Sequence, residues 1–277
     1  MIIDTHMHIY PDFLAPKAMS RIGGVSAAPT CTDGTMDGTL KMMDEQGVSF
    51  GLLLHIATEP RQQHNVNNFA AESMQNSNGR FYSFGSVHPD AEDAVDELYR
   101  IKELGLRGVK LHPYYQDFDM EGKNAVKVYE TCRALGLPIA FHMGFDPVEP
   151  GVMRASPRVL SQLIFAMPDL TVIAAHMGGM GCSDEVGMYL CGKTVYIDTA
   201  YSAQPRASSP DAHRELLLAH DPSLILFGSD APWSAPAAEW EYLKSLGLPE
   251  EWLPGIAYKN AARLLGIEAG LIDDCGK

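Results

Sequence analysis

The sequence predicts one α/β domain, residues 1–277, folded as a (β/α)8 barrel, the TIM barrel. Eight short runs rich in Val, Ile, Leu and Phe alternate with longer amphipathic stretches, and no linker divides the chain. Strands that helices cover on both faces are expected to be such continuous apolar runs. Eight strand–helix units in a chain of this length fit a closed barrel better than an open doubly wound sheet, which usually has fewer strands.

The elements follow one another regularly along the chain. The predicted strands are residues 1–6, 50–57, 81–88, 108–112, 138–144, 170–178, 194–200 and 224–232. The predicted helices are residues 37–46, 65–76, 91–104, 123–135, 157–166, 185–191, 211–219, 237–246 and 256–265.

Local signals define several helix ends. Ser156 followed by Pro157 is typical of an N-cap and the first helical position. Gly136 is typical of the left-handed residue that ends a helix. Asp90 is expected to cap the helix after the third strand.

The stretch between the first strand and its helix, residues 9–35, is unusually long. Loops of this length inside a domain usually serve a function or are mobile. We interpret this stretch as a lid over the mouth of the barrel, and an ordinary surface loop is the alternative.

The composition disfavours several classes of binding partner. A net charge of −14 and a pI near 5 disfavour nucleic acids and anionic membranes, which need basic patches. The five cysteines are odd in number and form no CxxC pair, which favours a reducing compartment. No leader-like or membrane-spanning run is evident, so we expect a cytoplasmic protein with a small-molecule substrate. Apolar helix faces could support a homodimer, which the sequence leaves open.

Histidines concentrate at the ends of the predicted strands. Seven of the ten lie in or directly after a strand: His6, His8, His55, His88, His112, His142 and His176. Strands seven and eight supply Asp198 and Asp230 instead. The carboxyl ends of all barrel strands meet at one rim, which carries the active site in characterised barrels. Buried, unpaired imidazoles cost free energy, so this concentration indicates a functional site.

Four of these residues form a plausible metal site. His6 and His8 are two residues apart on one strand, so both side chains lie on the same face. His142 and Asp230 supply a third nitrogen and a carboxylate. This nitrogen and oxygen set suits a divalent metal, Zn2+ first, then Fe2+, Mn2+ or Co2+.

The same segments resemble a known family. DTHMH at residues 4–8, GVKLHP at 108–113, FHMG at 141–144, AHMGG at 175–179 and GSDAPW at 228–233 are similar to motifs of the amidohydrolase superfamily. More narrowly, they resemble its amidohydrolase-related branch, which includes aminocarboxymuconate semialdehyde decarboxylase. The resemblance extends from Met1 to about Leu265.

The resemblance implies roles for particular residues. It implies that His6, His8, His142 and Asp230 bind the metal, while His176 contacts the metal-bound water or the substrate. In some relatives a lysine of strand four is carboxylated and bridges two metals. The branch resembled here usually binds one, so Lys110 and His112 are expected to contact the substrate or support the site, and a lysine paired with a buried carboxylate is the alternative.

The expected activity is metal-dependent hydrolysis of a small ester, lactone or amide, with Asp230 and His176 as catalytic residues. Non-oxidative decarboxylation of a small aromatic or unsaturated carboxylic acid is the first alternative, and a catalytically inactive binding module is the second. Further substrate contacts are expected from loop residues, and Asp4 is expected to support a ligand histidine. These loop residues are Arg61, Tyr114, Arg154 and Trp233.

Overall fold

The computed structural model describes residues 1–26, 30–204 and 208–267. Within these ranges, all eight predicted strands are present, and every pair of neighbouring strands is parallel. The strands are β1 (Ile3–Met7), β2 (Phe50–Leu54), β3 (Phe81–Phe84), β4 (Val109–Leu111), β5 (Ile139–Phe141), β6 (Val172–Ala174), β7 (Tyr196–Asp198) and β8 (Ile225–Leu226).

The strands form a closed barrel in chain order. Continuous ladders join β1 to β3 and β4 to β8. Isolated parallel bridges complete the ring, between Gly85 and Val109 on one side and between Met7 and Ala231 on the other. The predicted (β/α)8 barrel is therefore confirmed.

Helices follow the strands as the alternation predicts. They are α1 (Ala15–Ser26), α2 (Met36–Gln46), α3 (Gln63–Asn76), α4 (Ala94–Glu103), α5 (Lys123–Leu135), α6 (Pro157–Ala166), α7 (Ser183–Tyr189), α8 (Pro210–Leu218), α9 (Pro236–Ser245) and α10 (Asn260–Leu265). Short 3-10 turns occupy Pro60–Gln62, Pro222–Leu224 and Glu250–Trp252, and a π-helical turn, Gly255–Lys259, runs directly into α10.

Helix ends with strong capping signals were predicted correctly. Helix α5 ends at Gly136, which is left-handed with a φ of 67°. Helix α6 begins at Pro157, and the Ser156 side chain accepts a hydrogen bond from the Arg158 amide. The prediction for Asp90 was wrong: α4 begins after Asp93, and Asp90 instead accepts a hydrogen bond from the side chain of Asn124.

Residues 9–35 are not a structureless loop, because they contain helix α1. Two adjacent glycines, Gly23 and Gly24, weaken the helical signal in this part of the sequence. The segment starts and ends close together, since the Tyr10 amide donates to the Gly34 carbonyl over 2.8 Å. Residues 27–29 lie outside the described ranges, and the role of the segment as a lid stays a prediction.

The side chains of β4 alternate between the two sides of the sheet, as predicted. Val109 and Leu111 pack into the apolar layer between the barrel and its helices, together with Leu98 and Tyr129. Lys110 points to the other side, into the barrel. Among the described residues, no helix is long and apolar enough to cross a membrane.

Candidate active site

A cavity opens where the carboxyl ends of the strands meet. Its lining combines five histidines, one lysine and two aspartates with aromatic and apolar side chains. The lining residues are His6, His8, Tyr10, Ile56, Lys110, His112, Tyr115, His142, Asp146, Pro147, His176, Met180, Tyr201, Asp230 and Trp233. The position agrees with the rim at which barrels of this kind place their active sites.

Two of the seven strand-end histidines do not line this cavity. The His55 ring packs edge-on against Phe69, with ring centroids 5.5 Å apart. His88 Nδ1 accepts a hydrogen bond from the Asp90 amide. Both side chains are buried outside the cavity, so their place at a strand end alone did not bring them into the site.

Three of the predicted substrate contacts lie away from the cavity lining. Tyr114 is directed elsewhere, and its hydroxyl donates to the Gly144 and Val152 carbonyls. Arg61 pairs with Glu59, and Arg154 is held by Glu149 and Asp117. The next tyrosine along the chain, Tyr115, lines the cavity instead, because the chain leaves the extended conformation at Pro113.

His6, His8 and Asp230 converge on one point. Their ligand atoms lie within 4.8 Å of one another. Asp230 Oδ1 is 3.3 Å from His6 Nε2 and 3.2 Å from His8 Nε2. Metal–ligand bonds of about 2.0–2.2 Å in a tetrahedron place the ligand atoms roughly 3.3 Å apart. The spacing therefore fits a shared ion.

The protonation of these imidazoles also fits a metal. His6 Nδ1 lies 2.8 Å from Asp198 Oδ2, and His8 Nδ1 lies 2.8 Å from the Leu54 carbonyl. Oxygens of these kinds only accept, so each Nδ1 carries the proton and each Nε2 presents a lone pair. His6 Nε2 is buried and has no hydrogen-bond partner among the described residues. Burial, followed by the charge of Lys110, lowers the pKa of His6 well below its usual value and keeps the ring neutral.

Asp230 is held in an unusual conformation that places its carboxylate beside the two histidines. Its φ is 70°, a left-handed value that costs free energy for a residue with a side chain. Its amide donates to the His6 carbonyl over 2.8 Å, which fixes the turn. Burial raises the pKa of Asp230, but the neighbouring imidazoles of His8, His6 and His176 act in the opposite direction and hold it below its usual value. The carboxylate is therefore ionised at neutral pH.

His176 connects this group to His142. Its Nδ1 lies 3.2 Å from the Ala200 carbonyl, so we assign the proton to Nδ1. Its Nε2 lies 3.1 Å from His142 Nδ1. The backbone is also fixed, because the His176 amide donates to Asp198 Oδ1.

His142 belongs to a second group with His112 and Asp146. Asp146 Oδ2 lies 3.6 Å from His112 Nε2 and 3.5 Å from His142 Nε2. His112 Nδ1 accepts a hydrogen bond from the Tyr115 amide, so its proton is on Nε2, which therefore offers no lone pair to a metal. The structure brings His142 into the same cavity as His6, His8 and Asp230, but not into their group of ligand atoms.

Lys110 brings a positive charge into the cavity. The side chain is 1 % exposed, and its Nζ has no hydrogen-bond partner within the described part of the chain. Burial lowers the pKa of Lys110 to about 8, although nearby carboxylates, Asp198 first, act in the opposite direction. A buried, unpaired amine is costly, and a ligand anion would satisfy it.

Sequence reasoning gave no role to several lining residues. Asp146 follows His142 by four positions in FDP, where the chain has already left β5, so strand alternation could not place it. Tyr115 stacks on His112, with ring centroids 3.9 Å apart and planes at 7°. His112 stacks in turn on His142 at 4.1 Å. Tyr10 and Tyr201 lie in loops and carried no sequence signal.

Solved structures share this fold. An uncharacterised TIM-barrel protein from Bordetella bronchiseptica superposes with a TM-score of 0.76 at 18% identity, covering 100% of this chain and 99% of its own. A dihydroxybenzoic acid decarboxylase from a Polaromonas species, solved with manganese and an inhibitor, gives 0.72 at 17% identity and covers 98% of both chains. A probable 2-pyrone-4,6-dicarboxylic acid hydrolase from Acinetobacter baumannii, with citric acid bound, gives 0.68 at 15% identity, covering 96% of this chain and 99% of its own.

Sequence comparison identifies the family directly. No functionally curated protein is similar enough in sequence to match this chain. The model of one protein family, described as amidohydrolase, matches residues 3–267, nearly the whole chain and every strand of the barrel. The histidine and aspartate residues at the strand ends lie within this match. This chain therefore belongs to the amidohydrolase superfamily of enzymes.

Proposed function

We propose that this protein is a metal-dependent hydrolase that activates water for attack on a small ester, lactone or amide. The observation that carries the proposal is the convergence of two imidazole lone pairs, on His6 and His8, with the ionised carboxylate of Asp230. Three ligands leave a position open for water, as catalytic metal sites require. The manganese bound to the Polaromonas relative supports a metal in this protein.

The metal would be one divalent ion, with Zn2+ as the first choice and Mn2+, Fe2+ or Co2+ as alternatives. We propose His142 as the fourth ligand. Its Nδ1 lies 3.1 Å from His176 Nε2 and its Nε2 lies 3.3 Å from the Phe145 carbonyl, so one of these two contacts would give way to the metal. When bound, such an ion lowers the pKa of water and polarises a carbonyl group.

The chain's own residues would move the proton. Asp230 is ionised and lies at the metal position, so it can accept a proton from water and later deliver it to the leaving group. His176 lines the same cavity and can orient the water or the substrate carbonyl. Asp198 fixes both groups by accepting from the His6 ring and from the His176 amide.

Substrate contacts are proposed for Lys110, His112, Trp233 and Tyr115. We propose Tyr115 in the role that the sequence predicted for Tyr114, because Tyr115 lines the cavity and Tyr114 does not. The stacked rings of Tyr115 and His112 form a flat wall that suits a planar substrate.

Decarboxylation of a small aromatic or unsaturated carboxylic acid is the second candidate. The unpaired Lys110 amine favours it, since it would satisfy a substrate carboxylate. The decarboxylase among the structural relatives supports it as well. Among the residues that the structure describes, no arginine lines the cavity, so a substrate with two carboxylates is less well matched. The homodimer expected from the sequence stays a prediction.

Metal content tests the proposal first. Elemental analysis of the purified protein should find about one equivalent of a divalent metal. The variants Asp230→Asn and His142→Ala should lose this metal. His64→Gln, at an exposed histidine outside the cavity, is the matched control and should keep it. Two equivalents would indicate a binuclear site, and no metal after reconstitution would refute the proposal.

Turnover then separates the two reactions. Esters, lactones, amides and small aromatic acids are incubated with the metal-loaded protein, and acid and carbon dioxide release are measured. Asp230→Asn and His176→Ala should keep the wild-type circular dichroism spectrum but lose activity by about 100-fold or more. Wild-type rates in either variant would contradict the assigned roles, and carbon dioxide release would favour the decarboxylase.

A further inference from the structure

Glu239 is a buried carboxylate that ties two loops of the rim together. It lies in the first turn of α9 and is 1 % exposed. Its Oε2 accepts hydrogen bonds from Ser202 Oγ at 3.0 Å and from the Ala203 amide at 2.9 Å. Its Oε1 accepts from Ser234 Oγ at 2.6 Å. One side chain therefore binds the loop after β7 and the loop after β8.

The bound residues directly follow two aromatic residues of the cavity wall. Tyr201 precedes Ser202, and Trp233 precedes Ser234. Both aromatic side chains line the cavity and are nearly buried.

The backbone at Tyr201 needs such support. Its φ is 62°, in the left-handed region that residues with a side chain rarely adopt. Conformations of this kind persist only where the surroundings hold them. The two hydrogen bonds to Glu239 from Ser202 and Ala203 fix the chain directly after this residue.

We propose that Glu239 is a positioning residue that holds Tyr201 and Trp233 in place and thereby limits the size of the substrate group that the cavity accepts. The effect on the substrate rests on the proposed function, because wall spacing matters only if the cavity binds a substrate. Glu239 itself does not line the cavity, so it acts through the two loops.

The hydrogen-bond pattern predicts which substitutions preserve this role. In Glu239→Gln, the amide oxygen can still accept from Ser202 and Ala203, while the amide NH2 can donate to Ser234 Oγ. Glu239→Ala loses all three bonds. A role that depends only on negative charge at the start of α9 would instead be lost equally in both variants.

The position of Trp233 gives a direct measurement. The chain has three tryptophans, at positions 233, 240 and 252, so the protein labelled with 5-fluorotryptophan gives three 19F resonances that single Trp→Phe variants assign. We expect Glu239→Ala to shift or broaden the Trp233 resonance and Glu239→Gln to leave it near its wild-type position. Glu241→Ala, which removes an exposed carboxylate of the same helix paired with Lys244, is the control and should leave it unchanged.

A variant that removes only one of the three hydrogen bonds to Glu239 keeps the test decisive if Glu239→Ala fails to fold. Ser234→Ala removes the bond to the β8 loop and should also move the Trp233 resonance. An unchanged Trp233 resonance in this variant, or equal changes in the Ala and Gln variants of Glu239, would overturn the proposal.

Kinetics test the consequence for the substrate. With the best substrate from the turnover screen, Glu239→Ala should raise KM about fivefold or more while kcat and metal content stay near wild type, and the ratio of the KM of a larger analogue to the KM of this substrate should fall. An unchanged KM ratio would overturn the effect on specificity. Should no substrate be found, the proposed function fails, and the 19F spectra still decide whether Glu239 positions Trp233.

Discussion

At the scale of single residues, the site is determined by groups just outside the cavity. Asp198 accepts from the His6 ring and from the amides of His176 and Ala200. The Leu54 carbonyl does the same for the His8 ring. These acceptors determine which ring nitrogen is available to a metal, and they account for the orientation of both imidazoles.

Asp198→Asn tests this support. The asparagine amide offers an oxygen to only some of the three donors and presents NH2 to the others, so the His6 tautomer is no longer fixed. We expect metal affinity to fall about 10- to 100-fold, measured by competition with a chromophoric chelator. Asp184→Asn, at an exposed aspartate of α7, should bind metal as wild type does. Wild-type affinity in Asp198→Asn would show that the carboxylate does not support the ligand.

Residues placed by a strand could be predicted, and residues placed by a turn could not. His6, Lys110 and Asp230 lie in or directly after strands, and all three line the cavity as expected. Asp146 and Tyr115 reach the cavity only because the chain turns after β5 and β4. The conformation of a turn depends on tertiary contacts, which a single sequence does not show.

At the scale of elements, the loops after β5 and β6 meet at a glycine. Gly144 has a φ of 81° and forms bridges with Ala155 and Met180. A Cβ added to Gly144 would lie 2.1 Å from the Met180 amide nitrogen. The close approach brings His142 and Met180 to the same cavity.

Gly144→Ala is expected to destabilise the protein strongly. The positive φ alone costs about 1 kcal/mol, and the backbone clash adds to it, so we expect a loss of about 3 kcal/mol or more in the free energy of urea unfolding. Gly136→Ala is the matched control, because Gly136 is also left-handed but has no atom within 4 Å of the added Cβ. It should lose only about 1 kcal/mol. Equal losses would show that the loop contact is not tight.

Glu239 should make stability depend on pH. Burial raises the pKa of Glu239 from 4.5 to about 7, although Ser234 and other donors oppose the shift. The folded protein therefore holds this proton more tightly than the unfolded chain does. The resulting stability is complete below about pH 4.5 and is lost as the pH rises to about 7, a change on the order of 3 kcal/mol.

Urea unfolding at pH 5, 6, 7 and 8 measures this dependence. Subtracting the Glu239→Gln curve removes the contribution of the cavity histidines, which both proteins share. We expect the difference in the free energy of unfolding between the wild type and Glu239→Gln to fall between pH 5 and 7 and to be constant above pH 7. A constant difference would mean that the pKa of Glu239 is not raised.

Elements with distinct end signals were predicted with their bounds, as α5 and α6 show. Helix α1 was missed because its adjacent glycines, Gly23 and Gly24, have a low helix propensity and weaken the helical signal. Tertiary contacts, such as that between Tyr10 and Gly34, stabilise this segment instead.

At the scale of the whole molecule, the predicted metal site spans the line where the barrel closes. His6 and His8 come from β1 and its end, and Asp230 follows β8. In the described structure, these two ends of the sheet are joined by one isolated bridge, between Met7 and Ala231, and by a few backbone hydrogen bonds, such as that from the Asp230 amide to the His6 carbonyl. Ligation there links the first strand to the last.

Metal should therefore raise the melting temperature. At a metal concentration of about 100 times Kd, the stabilisation is about 2.7 kcal/mol, which corresponds to a rise of roughly 5–10 °C over protein treated with a chelator. Differential scanning calorimetry measures it. Asp230→Asn should show almost no difference between the two conditions. An equal rise in that variant would mean that the metal stabilises the protein from another position.

The closure of the barrel also has a consequence for the proteolytic degradation of the chain. Without metal, the first strand is held to the last by few backbone contacts, so β1 could separate from β8 while the ladder from β4 to β8 remains intact. Proteases would then cut the metal-free protein near its first strand, whereas the first strand of the metal-loaded form would stay within the closed barrel. Metal supply would in this way determine the lifetime of the protein as well as its activity.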